Sequence, residues 1–179
     1  MSAKKTKTRE RILGAATAAL IQRGPLEPGL GEVMAAAGLT VGGFYGHFES
    51  KDSLMLEAFR QLLERRRQML RQLDDSLGAE ERRVLAAAFY LSRKHRDAGA
   101  DACPLPSTLA EVGRLPEPFR TVLIEHVELL VAELAGRPED IDKALADLAL
   151  MVGGLSLARA LGEGELSDRV LRAAKSAVL

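Results

Sequence analysis

The 179-residue chain has a single cysteine, Cys103, and no tryptophan. One cysteine cannot close an internal disulfide, so a disulfide-stapled scaffold is excluded. The three histidines, His47, His95 and His126, are scattered without ligand spacing, and no structural zinc site is indicated. A carboxylate-bridged di-metal enzyme on a helical bundle needs Glu-x-x-His pairs. The residues three before the histidines are instead Phe44, Ser92 and Leu123. A glycine-rich phosphate loop and a nucleophile elbow are likewise missing. These absences point away from an enzyme: no catalytic residues, no metal and no cofactor are expected. Charged residues recur within every apolar segment, so no uninterrupted run of about 18–20 apolar residues suggests a membrane span. The basic N-terminus has no apolar segment behind it that would read as a secretory signal, which points to the cytoplasm.

Runs of strict polar and apolar alternation are also lacking. What is there is helical spacing almost throughout, and the chain reads as all-α with about nine helices. The first is expected from about Thr8 to Gln22, stopped by Gly24-Pro25, and a short second from about Leu30 to Ala37, ended by Gly38 as a left-handed terminator. Thr40 is placed to cap a third through about Phe48, and Ser50 a fourth of about 25 residues with Asp52 in its first turn. Further helices are expected at about 80–97, 104–113, 117–135, 139–161 and 167–178, separated by glycine- and proline-bearing breaks.

Two short helices joined by Gly38-Leu39 make a helix-turn-helix. Phe44, Tyr45 and Phe48 crowd into the second of them, although the whole chain has only five Phe and two Tyr. Phe44 and Phe48, one turn apart, should face the core, leaving Tyr45 and His47 to point elsewhere, where a hydroxyl and an imidazole can donate to phosphate oxygens. The net charge is zero, but Lys4, Lys5, Lys7, Arg9 and Arg11 cluster at the start with only Glu10 opposing them. That segment reads either as an arm lying along phosphates or as a solvated tail.

The run Ala35-Ala36-Ala37-Gly38-Leu39-Thr40-Val41-Gly42-Gly43-Phe44-Tyr45-Gly46-His47-Phe48-Glu49-Ser50-Lys51-Asp52-Ser53-Leu54 resembles the most diagnostic stretch of the TetR family of transcription regulators. The resemblance covers roughly residues 8 to 60; beyond them only helix number and order, and a Leu157 to Asp168 pattern, are similar. It implies a helix-turn-helix DNA-binding domain over 1–55 and a helical ligand-binding and dimerisation domain over 56–179. The expected partners are double-stranded DNA, an unknown small-molecule effector and a second copy of the chain, with the habit of repression relieved by ligand. By the same resemblance Thr40, Val41 and Gly43 would lie nearest the bases, while Tyr45, His47 and Lys51 would touch phosphates, joined by Lys4, Lys5 and Lys7 of the arm.

Two departures bear on affinity. Pro28-Gly29 stands where the family has a hydroxyl capping the second helix, leaving only free helix amides for phosphate. In addition, Val41, Gly42, Gly43 and Gly46 replace the Arg, Asn or Gln that would read bases through paired hydrogen bonds. Apolar contact, backbone approach and DNA shape remain.

In the second half, 145–158 is apolar around most of its circumference, more than one core-facing stripe requires. It is expected to meet a core and a partner, with Leu145, Leu148, Val152 and Leu155, and Val170 and Ala174 of the last helix, at a dimer interface. Cys103, just before Pro104, reads either as a reactive thiol made acidic by free helix amides or as a small buried apolar residue. Tyr90, His126 and Met151 join it as candidate ligand-contacting residues.

Overall fold

The computed structural model describes residues 3–72, 76–99 and 102–178, and among them every regular element is helical. Helix α1 (Ala3–Arg23) packs against α3 (Lys51–Arg71), with α2 (Leu30–Ala36) and a 3-10 helix (Val41–Gly46) between them in sequence. There follow α4 (Ala79–Tyr90), the short α5 (Arg93–Arg96) and α6 (Leu105–Thr108), then α7 (Glu117–Ala135), α8 (Ile141–Leu161) and α9 (Glu165–Val178). One continuous cluster of buried side chains runs from Ile12 to Val178. The boundary expected at residue 55 therefore falls inside α3, which belongs to both halves.

Three corrections matter for function. First, α1 starts at Ala3 rather than near Thr8, so Lys4, Lys5 and Lys7 stand exposed on its opening turns. Arg9 and Arg11 do not belong to a phosphate-facing arm. Arg9 forks onto Glu57 of α3 (2.6 and 2.5 Å) and lies 4.5 Å over the Phe48 ring, and Arg11 Nη2 donates to Ala37 O at 2.6 Å. Second, the helix expected over 80–97 breaks at Leu91-Ser92. Ser92 caps the new start by accepting from the His95 amide at 3.1 Å and donates back to Phe89 O at 2.7 Å. Third, Pro138–Leu161 is long and apolar enough to cross a membrane by length and composition, with mean hydropathy 1.6. Its two-sided apolarity is spent partly on packing, since Ala144, Leu148, Met151, Leu155 and Ala158 are buried inside the protomer.

That packing also revises the expected dimer residues. A Cβ on Gly154 would lie 2.8 Å from Ala174 Cβ, so α8 and α9 meet at close range there. Leu148, Val152, Leu155 and Ala174 are consequently covered within the protomer. Of the six residues expected at a partner surface, Leu145 remains exposed and Val170 half-buried, and Leu157, Leu161 and Leu166 add exposed apolar surface to the same two helices.

Candidate nucleic-acid interface and interior cavity

The turn after α2 is built by backbone chemistry. Gly38, at φ 66°, lets its own amide reach Ala35 O at 2.8 Å and the Leu39 amide reach Met34 O at 2.9 Å, closing the helix with paired terminal bonds. Only a residue at ease in the left-handed region fits there. Leu39 then packs inward, and Thr40, extended at φ −89° and ψ 153°, starts the next helix. Its hydroxyl makes no capping bond, contrary to the expected cap, and the segment winds as a 3-10 helix. The following junction is fully capped: Ser50 Oγ accepts from the Ser53 amide at 3.0 Å while Ser53 Oγ accepts from the Ser50 amide at 3.1 Å.

This short helix has two chemically opposite sides. Phe44 and Phe48 are buried and stacked, ring centroids 5.8 Å apart. Tyr45 is 70% exposed, braced edge-on against Phe44 at 5.2 Å, and Val41 is 43% exposed. Thr40, Gly42, Gly43 and Gly46 share the open surface or its edge. His47 is half-buried, and its Nδ1 is buried without a hydrogen-bond partner. Lys51 reaches from the start of α3 to Leu26 O at 2.7 Å, tying the α1–α2 turn to the far end of the 3-10 helix. A lysine has three donors, so this bond leaves others for an anion. The exposed lysines on the first turns of α1 oppose that helix's own dipole, with no acidic residue there to offset them. Negative charge placed beside these turns would offset that unfavourable interaction.

The second feature is a cavity of about 260 Å³, open on one side, lined from α3, α4, the α5–α6 connection, α6, α7 and α8. It gathers Tyr90, Cys103, His126 and Met151, the four residues expected near a ligand, together with Arg66, which no sequence pattern singles out. Leu70, Leu105, Leu130, Leu134 and Leu148 supply apolar wall, and the partly exposed Met69, Leu85 and Phe89 stand at its outer part.

Two buried histidines shape it. His95 Nδ1 donates to Tyr90 O at 2.9 Å and its Nε2 accepts from the Cys103 amide at 3.2 Å, which defines a neutral ring. His126 Nδ1 lies 3.1 Å from Arg67 Nη1; since a guanidinium only donates, Nδ1 accepts and the proton sits on Nε2. Burial, the leading cause in each, pushes both pKa values from 6.5 down to about 4. An unfolded histidine takes its proton near pH 6.5, whereas these two resist until about pH 4. Their contribution to stability is therefore complete above about pH 6.5 and lost as pH falls toward 4. Denaturant midpoints measured from pH 7.5 to 4.5 should decline over that window, and a H95Q/H126Q variant should decline less steeply.

Of the two readings open for Cys103, the structure bears out the small buried residue. It is buried, and burial pushes its pKa up, the opposite of activation by helix amides. The chain around it is pinned by Arg159, whose guanidinium donates to Cys103 O, His95 O and Arg96 O at 3.2, 3.1 and 3.3 Å. Tyr90 Oη lies beside the thiol out of alignment, buried and without a hydrogen bond.

Comparison with known proteins bears on the helix-turn-helix and on the fold as a whole. Residues 12–58 match the family model described as bacterial regulatory proteins, tetR family. No curated protein matches the chain. Among solved structures, the chain is similar to E. coli NemR in its reduced form, with 22% identity and a TM-score of 0.82 over 96% of this chain and 95% of that one. It is similar to a TetR-family transcriptional regulator from Agrobacterium tumefaciens at 18% identity and TM-score 0.80, covering 97% of this chain and 98% of the other. A TetR transcriptional regulator from Chloroflexus aurantiacus shares 28% identity at TM-score 0.78, covering 99% of this chain and 94% of that one. Residues 12–58 thus carry the helix-turn-helix of bacterial regulatory proteins of the tetR family, and the whole chain has the fold of the solved TetR-family regulators to which it is similar.

Proposed function

We propose that this protein is a DNA-binding transcriptional regulator: a ligand-responsive, cytoplasmic repressor that binds a pseudo-palindromic operator as a homodimer and performs no catalysis. The observation that carries the reading is the two-sided reading helix, with Phe44 and Phe48 fixed in the core while Val41 and Tyr45 are held outward. In this reading Thr40, Val41 and Gly43 approach the bases, and Tyr45, His47, Lys51, Lys4, Lys5 and Lys7 serve phosphates. The orphaned His47 Nδ1 is the least favourable part, because only the ring's other nitrogen is left to reach an anion.

Residues 1–55 act as the DNA-binding unit and 56–179 as the sensing and dimerising unit. The exposed apolar positions of α8 and α9, among them Leu145, Leu157 and Leu166, supply a surface for the second copy. Pairing would set two reading helices about 34–36 Å apart, the spacing of successive major grooves. Response to a ligand is supported by separate hydrogen bonds that tie the segment following the cavity wall to α1 and the α1–α2 turn. Beyond Leu105, Ser107 Oγ donates to Leu20 O at 3.0 Å and Glu111 Oε2 accepts from the Leu26 amide at 3.0 Å. Leu26 O in turn holds Lys51. A ligand with different affinity for two arrangements of these helices would shift the DNA-binding equilibrium.

The test is a fluorescence titration against the DNA flanking the protein's own gene at two salt concentrations. Binding should weaken steeply with salt, and the K4A/K5A/K7A variant should lower the log–log slope by about 1 for each phosphate contact removed. Tyr45→Phe should cost about 1.5–3 kcal/mol of affinity, as expected for a hydrogen bond to a charged group. Absence of salt-dependent binding to any such fragment would favour a small-molecule or protein-binding module of the same fold.

A further inference from the structure

Resting on the reading of the cavity as an effector site, we infer that the effector is a small organic anion with an apolar body, its acid group held by Arg66. The wall is apolar, and no Asp or Glu lines it. A cationic ligand would therefore enter without a counter-charge, beside a positive one. Arg66 itself has no carboxylate partner among the described residues; its one recorded contact is a weak one from Nη1 to Met69 Sδ at 3.8 Å. The neighbouring arginine on the same helix, Arg67, shows the contrast, since it is ion-paired to Glu64.

The other polar groups of the cavity agree in sign. With Nδ1 occupied by Arg67, the proton of His126 is on Nε2, so the group left over is a donor. Tyr90 Oη is buried without a partner and carries a proton to give. Burial keeps both this phenol and the Cys103 thiol protonated, so neither supplies negative charge to a bound cation. The charge of Arg66 is felt at Tyr90, His95 and Cys103, which places it with this donor cluster rather than alone in solvent. An unpaired guanidinium beside apolar wall favours a carboxylate or similar oxyanion, bound through two parallel N–H donors. A volume of about 260 Å³ lies at the small end for ligand cavities and limits the body to one short chain or ring.

Three probes of equal length and different charge separate the possibilities: octanoate, octylammonium and 1-octanol, titrated calorimetrically into the full chain at neutral pH. Octanoate should bind at least tenfold more tightly than either of the others. R66M should bring octanoate down to the affinity of octanol while leaving octanol unchanged, and R66K should retain part of the preference. Equal binding of all three, tighter binding of octylammonium or octanol, no binding by any, or an R66M protein that still prefers octanoate would each overturn the assignment. The salt titration with DNA is run on the same preparation. A protein that binds DNA but shows no octanoate preference refutes the anion and keeps the regulator; one that prefers octanoate but binds no DNA does the reverse.

Discussion

Replacing Arg83 by methionine is expected to destabilise the fold by about 3–5 kcal/mol, a large share of the roughly 5–15 kcal/mol that holds a domain of ordinary stability. Arg83 on α4 and Asp147 on α8 approach to 3.0 Å with side chains only 6% and 8% exposed. The two atoms are at ion-pair distance without the alignment of a hydrogen bond, so charge rather than directed bonding is what each offers the other. Removing the arginine strands a buried carboxylate. Removing both charges does not, and R83M/D147L should return to the stability of the parent or exceed it by about 1–4 kcal/mol. Urea denaturation of the two variants decides: a single substitution that costs under about 1 kcal/mol would mean that water reaches the pair.

Phe44→Ala should produce a loss of similar size, about 3–5 kcal/mol, because the ring is fully buried and its removal leaves a cavity in the core. Its effect should extend beyond stability. Phe48 stacks on it and Tyr45 leans on it edge-on, so the same deletion loosens the residue that stands outward. Tyr45→Ala makes the comparison clean. With its ring 70% exposed, that variant should stay within about 0.5 kcal/mol of the parent in denaturant yet lose DNA affinity. Phe44→Ala should lose both. Equal DNA affinity of parent and Tyr45→Ala would remove Tyr45 from the interface.

The regular parts of this fold were legible because periodicity and punctuation agreed. The helix expected at 117–135 is found as Glu117–Ala135, between a proline-rich turn and Gly136 at φ 70°. Ser50 and Gly38 act as the caps that their chemistry suggests. The misreadings arose where a side chain does the backbone's work. Ser92 and His95 satisfy the groups freed at the α4–α5 break, and nothing in an apolar periodicity registers that. Arg9 and Arg11 look in sequence like the lysines beside them, but a planar fork that finds Glu57 and Ala37 O is internal structure, not an arm. Arg66 was invisible for a related reason: on a long helix bearing many arginines, only three-dimensional context distinguishes the one that lines the cavity. The division of α8 between core and surface depends on the close approach at Gly154, which the Gly153-Gly154 pair announced without saying which neighbour would arrive.

The bareness of the reading helix has a consequence for how such a protein can change over time. Gly42, Gly43 and Gly46 all have ordinary negative φ, and a Cβ built on any of them meets nothing within 4 Å. No steric or backbone requirement therefore keeps these positions as glycine, and a side chain there would grow into open space while the Phe44 and Phe48 anchors stay untouched. Replacing glycine in a helix even tends to stabilise it, by up to about 1 kcal/mol. New base-reading groups such as asparagine or arginine could be acquired one at a time without first compensating the fold. If this helix meets DNA as proposed, the scaffold leaves its sequence preference free to drift, or to be rewritten by design, independently of everything that makes the protein stable.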